Sequence, residues 1–267
     1  MKVNVIHQTD LFHYHCDPDD HFDLACQYAL SYNEAINLKG ILIDYPRNPD
    51  YGDPSIQAVN QLNYITGKSV PVGVGVSKMI HSEDDYLNFK TSDTELSGVN
   101  MVLRILEEAD EPVVIHIVGS CRDIAIAGFM RPNLFKLKCK GIYLNAGASK
   151  DMEKLEYNVS LDPFSYRGIF NIPCPIYWMP CFEIYPKPPA MDYEFTKGEY
   201  STYYKFRQDE ILPYLSDKVQ KYFLYALGSY SSDVFIIKSV IFYYTNRKNT
   251  SIKYLIIFEK TFKIKVA

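Results

Sequence analysis

Apolar residues recur along this chain with two alternating periods. Short β-branched runs predict strands at Val3–Thr9, Leu38–Asp44, Val70–Val76, Val113–Val118, Lys140–Leu144 and Pro175–Met179. Between them the period lengthens to that of an amphipathic helix. One helix begins near Asp20, which can cap it, and repeats Phe22, Ala25, Cys26, Ala29 and Leu30 on one face. A second opens at Pro54, at the favoured first-turn position, and carries Ile56, Val59, Leu62 and Ile65. Further helices are expected at Glu95–Ala109, Asp123–Arg131, Asp162–Phe170 and Asp217–Leu227, and Pro186, Pro188 and Pro189 mark a loop. Strand alternating with helix predicts an α/β fold: a mostly parallel, doubly wound open sheet with helices on both faces. Ligands of such sheets lie outside the carboxyl ends of the strands. Asp10 and Asn145 follow two of those ends.

From Phe235 to Ala267 the pattern changes. Of these 33 residues 22 are Phe, Ile, Lys, Tyr or Asn, with no Gly or Pro and one acid, Glu259, against seven Lys or Arg. Those five residue types share AT-rich codons, so a shifted reading frame produces such a composition. A pair of genuine C-terminal strands, SVIFYYT and KYLIIFE, is the alternative. The chain therefore divides into an α/β domain over 1–234 and an atypical tail over 235–267.

Bulk composition narrows the function classes. A formal net charge of −4 makes no case for nucleic acid or an anionic membrane as partner. No apolar run reaches spanning length, and VNVI at the N-terminus is strand-like rather than a signal peptide. Six cysteines without a CxxC pair suggest free thiols in a reducing compartment, by default the cytoplasm. Cys121 and Cys181 lie near strand ends and read as buried thiols. The 23 tyrosines suit a polar-rimmed pocket without specifying one.

The chemistry concentrates behind the first strand. Asp10, Asp17, Asp19, Asp20 and Asp23 fall within fourteen residues. Crowded carboxylates repel unless a cation joins them or one stays protonated, and hard divalent ions prefer oxygen ligands. Helix capping explains one or two of these aspartates, but not Asp10 or Asp17. His13, His15 and His21 crowd the same segment, and HYHCDPDDH loosely resembles the zinc motif of metallo-β-lactamases, although Pro18 follows Asp17 where that motif has histidine. After His21 only His81 and His116 follow, few for a dinuclear site. VGVG at Val72–Gly75 lacks a capped helix behind it, and there is neither a G-x-S-x-G nor a P-loop.

Five segments in order, QTD…DPDDHFDLA, VVIHIVGSCRDIAIA, GIYLNAGA, LEYNVSLDPFSY and CPIYWMPCFE, resemble the inosine–uridine-preferring nucleoside hydrolase family over about Lys2 to Leu227. The resemblance implies calcium-dependent hydrolysis of the N-glycosidic bond of a nucleoside or related ribosyl glycoside. It implies Asp10 as the calcium-bound general base, Asp20 and the carbonyl of Arg122 as calcium ligands, and Asp19, Asn48, Glu156 and Asn158 as sugar-binding residues. With LFHYHCDP inserted after Asp10, Asp17 competes for the metal-facing role, and Asp233 is the late aspartate that could complete the shell. His15 or His21 could protonate the leaving group, and Tyr157 or Tyr185 could stack on a base. The family's late His-Asp pair is missing its histidine, since none follows His116. Two alternatives stay open: a catalytically impaired nucleoside- or sugar-binding homologue, and a zinc-dependent hydrolase using His13 and His15. The implied partner is a small nucleoside or ribosyl substrate, and a homo-oligomer is left open.

Overall fold

The computed structural model describes residues 2–11, 19–45, 55–89, 94–148, 155–181, 203–207, 211–229, 239–243, 254–257 and 260–263. Six strands form one parallel sheet: β1 (Val3–Thr9), β2 (Ile36–Ile43), β3 (Val72–Val74), β4 (Val113–Ile117), β5 (Cys139–Ala148) and β6 (Ile176–Cys181). Their order across the sheet is β3-β2-β1-β4-β5-β6. Every neighbouring pair is parallel, as the expected α/β architecture requires. The chain runs outward from β1 in one direction to β3 and then crosses back to β4, so β1 and β4 flank the switch point.

Helices cover both faces. One face packs α4 (Ser97–Glu108), α5 (Arg122–Met130) and α8 (Pro163–Ile169) over a core containing Ile6, Leu42, Ile115, Ile117 and Ile142. Val99, Met101, Val102, Leu103 and Leu106 form the buried side of α4, as its helical spacing predicts. Gly98 lets that helix approach closely: a Cβ there would stand 2.6 Å from both Leu42 Cδ1 and Val74 O. The other face packs α1 (Asp19–Tyr32), α2 (Ser55–Thr66) and α9 (Asp217–Ser229) over Val5, Ile41 and Ile43. Phe22 of α1 stacks on Phe223 of α9 with ring centroids 4.1 Å apart.

The structure departs from the sequence expectation in its short elements. Three helices of five to seven residues were not expected: α3 (Glu83–Asn88), α6 (Pro132–Lys138) and α7 (Tyr157–Leu161). Caps rather than periodicity define two of them, Ser82 with Asp85 in a capping box for α3 and Glu156 for α7. The helix expected over Glu95–Ala109 begins as a 3₁₀ turn at Thr94–Leu96 before α4. β5 runs past its expected end at Leu144. Outside the main sheet, β7 (Tyr203–Arg207) pairs antiparallel with β8 (Ser239–Tyr243), and β9 (Tyr254–Ile257) with β10 (Lys260–Lys263). The expected segments SVIFYYT and KYLIIFE contain β8 and β9. Among the described residues no helix is long and apolar enough to cross a membrane. Cys26, Cys121, Cys139 and Cys174 are free thiols, and burial pushes that of Cys121 far up, consistent with an inert interior group.

Candidate active site

At the switch point the main chain leaves β1 and β4 through segments that bond directly to one another. Gln8, second from the end of β1, links three strands. Its side-chain Nε2 donates to Asp44 Oδ1 just beyond β2, while its side-chain Oε1 accepts from Gly119 N just beyond β4 at 3.0 Å. Ser120 N donates to the second oxygen of Asp44 at 2.6 Å, and Asp44 N donates to Thr9 O at 3.0 Å. Only glycine fits at position 119. A Cβ there would lie 2.7 Å from Asp44 Oδ2 and 2.9 Å from Asp10 N. Asp10 is thus held where β1, β2 and β4 end together.

Acidic groups dominate the interior around that point. Asp10, Asp44, Asp123, Glu156 and Asp162 are all buried. Desolvation, then the charges of Asp10 and Asp123, hold the Asp44 carboxyl well above the ordinary carboxylate range, despite the Ser120 hydrogen bond. Burial pushes Asp123 up to about 6 and raises Glu156, with the Asp10 charge adding to the latter. Arg122, the first residue of α5, is the guanidinium set among them. Its Nε donates to Asp162 Oδ2 at 2.8 Å, Nη1 to Val76 O at 2.7 Å and Nη2 to Leu161 O at 2.8 Å. That side chain is an interior strut, so a ligand role for Arg122 would fall to its main-chain carbonyl.

Glu156 caps α7, accepting from Gly147 N at 2.8 Å, Asn158 N at 3.0 Å and Val159 N at 3.3 Å. Asn158 donates to Val118 O at 2.8 Å and Asn145 O at 3.2 Å, tying the ends of β4 and β5 together. The sequence-derived set therefore meets in part: Asp10, Glu156, Asn158 and Arg122 gather at the carboxyl ends. Asp19 and Asp20 occupy the first turn of α1, half-buried, where Asp19 Oδ1 accepts from Asp20 N at 3.0 Å. Asp17, Asn48, Asp233, His13, His15 and Tyr185 lie outside the described residues. His21 is buried in the core, edge-on to Tyr222, with burial pressing its pKa to about 3. That environment suits a neutral core imidazole better than an acid for a leaving group. Sequence reasoning missed Asp44 and Asp123. The signal for Asp44 was present, since it ends a predicted strand just as Asp10 follows one.

No protein-family model matches the sequence, and no curated protein matches it. Solved structures do match. A plant nucleoside hydrolase, PpNRh1, superposes with a TM-score of 0.55 at 18% identity, over 90% of this chain and 75% of that one. The effector XOO4466 gives 0.54 at 15% identity, and the type III effector XopQ, complexed with adenosine diphosphate ribose, gives 0.52 at 15%. Both of those matches cover 67% of this chain and 56% of the effector, so the chain spans little more than half the length of either. At these identities the likeness is one of fold, and the chain has the fold of a nucleoside hydrolase.

Proposed function

We propose that this protein is an N-glycosyl hydrolase, cleaving a nucleoside or related ribosyl compound into base and sugar with the help of calcium. The observation that carries the reading is the buried set Asp10, Asp44 and Glu156 at the β1/β4 switch point of a sheet with the nucleoside hydrolase fold. The XopQ complex supports a ribosyl substrate class, because its ligand contains a ribose with a glycosidic substituent.

The donor set fits a hard cation. Every candidate ligand is an oxygen, and a dication would offset both causes that raise Asp44, burial first and then repulsion from Asp10 and Asp123. Asp10, Asp20 and the Arg122 carbonyl would hold calcium, with Asp17 and Asp233 as further candidates. When bound, calcium lowers the pKa of a ligated water and positions it. The Asp10 carboxylate accepts the proton as water attacks the anomeric carbon. Positive charge then builds on the sugar ring, and the flanking carboxylates Asp19 and Glu156 stabilise it. Glu156 retains acceptor capacity for a hydroxyl, since its two oxygens offer about four lone-pair sites and three are used. Asp44 acts indirectly, locking the Gly119–Ser120 turn beside Asp10.

A second reading is binding without turnover. Both side-chain donor bonds of Asn158 are committed to backbone carbonyls, which leaves its amide no hydrogen for a sugar hydroxyl. The discriminating experiment measures ribose release from a panel of nucleosides and adenosine diphosphate ribose, with and without calcium, for wild type and Asp10→Asn. Calcium-dependent release falling about 10²–10⁴-fold in the variant supports the hydrolase. Calcium binding with no release from any substrate supports the binding protein instead.

A further inference from the structure

His7 of β1 and Gln8 beside it point to opposite faces of the sheet, so His7 turns away from the carboxylate site. On its own face it meets a second constellation. His116 is its cross-strand partner on β4, and Asp23 reaches down from α1. His7 Nδ1 lies 3.1 Å from His116 Nδ1, while Asp23 Oδ2 lies 3.6 Å from His116 Nδ1 and 3.8 Å from His7 Nε2. One ligand atom from each residue falls within 4.8 Å of the other two. A hydrogen bond between the imidazoles accounts for the first distance only. It leaves His7 Nε2 and Asp23 Oδ2 as buried atoms without hydrogen-bond partners, on an imidazole with no exposed surface. Two such atoms 3.8 Å apart, beyond hydrogen-bond distance, are what a small cation would satisfy.

We infer that His7, Asp23 and His116 form a binding site for a zinc-class divalent ion, separate from the calcium site proposed above. Two imidazole nitrogens and one carboxylate oxygen are zinc's ordinary donors and a poor set for calcium, which takes oxygen. Burial keeps His7 neutral, with a pKa lowered to about 4, and hence able to donate its lone pair. The fourth position is open to water. Partial exposure of the His116 and Asp23 side chains, 16% and 17%, gives an ion a way in. The site pins α1 to β1 and β4 one turn behind Asp19 and Asp20, so the bound ion fixes the helix that carries them.

The test is calorimetric titration of chelator-treated protein with zinc chloride in calcium-containing buffer, where any calcium site is filled. One equivalent should bind, raise Tm, and be replaceable by cobalt(II) with the intense visible absorption of a tetrahedral site. His116→Ala and Asp23→Asn should each weaken zinc by at least about tenfold, the loss that even an outer partner of a metal ligand brings. Asp10→Asn and His81→Ala should leave zinc binding unchanged. Near-ultraviolet circular dichroism identifies any variant that fails to fold, and Asp23→Asn, at the more exposed ligand, serves if His116→Ala does. No zinc binding by folded wild type overturns the inference. So does binding that survives in both ligand variants, or that is lost instead on joint substitution of His13 and His15.

Discussion

Gly119 shows how closely the candidate site is built at the level of single residues. Its missing side chain lets the Asp44 carboxylate, the Asp10 amide and the Gln8 amide share one space. Gly119→Ala would force a Cβ to 2.7 Å from Asp44 Oδ2, and overpacking of a buried site costs about 1–3 kcal/mol. Tm should fall by several degrees, and calcium affinity should fall with it, because the strain falls on the turn beside Asp10. Parallel thermal unfolding and calcium titration of the variant check this; unchanged calcium affinity would mean the turn does not position the site. Legibility at this scale followed backbone context. The placement of Asp10 and Glu156 near strand ends was readable because short motifs surround them. Asp44 shared the strand-end signal, but its burial between Asp10 and Asp123 depends on segments far apart in sequence.

Among the elements, the long helices and central strands were legible because each repeats its apolar period several times. β1 was expected over Val3–Thr9 and occupies that span. The short helices α3, α6 and α7 give periodicity too little length to work with. α1 carries the most consequence, since its first turn bears Asp19 and Asp20 while His21 anchors it against Tyr222, whose hydroxyl donates to His21 O at 3.3 Å. Burial lowers His21 from 6.5 to about 3, so the folded protein binds fewer protons here than the unfolded chain. Its contribution to stability is present above pH 6.5 and lost as pH falls toward 3. Between pH 6.5 and about pH 5 the loss is about 2 kcal/mol. His7, also lowered, acts in the same direction. Asp123, raised to about 6, acts oppositely, adding stability as pH falls through 6 toward 3.8. Urea midpoints for wild type and His21→Leu across that range isolate the histidine: the variant should lose stability less steeply on acidification. Equal slopes would show that His21 titrates normally.

At the scale of the whole molecule, the strand order was the feature least legible in sequence. Alternation implies a parallel sheet, but nothing local says that β4 returns beside β1, and that return creates the site. Bringing β1, β2 and β4 to one point concentrates like charge in the interior, so the cation-free fold carries an electrostatic penalty built into its topology. This predicts a trade between function and stability. Without calcium, Asp10→Asn should be more stable than wild type, because after burial the Asp10 charge is a further cause of the raised Asp44 and Glu156 carboxyls. With free calcium about 100-fold above its dissociation constant, wild type should gain about 2.7 kcal/mol and the variant little, reversing their order. The gain should also shrink on acidification, because protons and calcium compete for the same carboxylates. Chemical denaturation of both proteins, with chelator and with calcium, measures all four states. A variant less stable than wild type under both conditions would mean that Asp10 is a structural carboxylate whose bonds outweigh its repulsion, and the calcium assignment would lose its base.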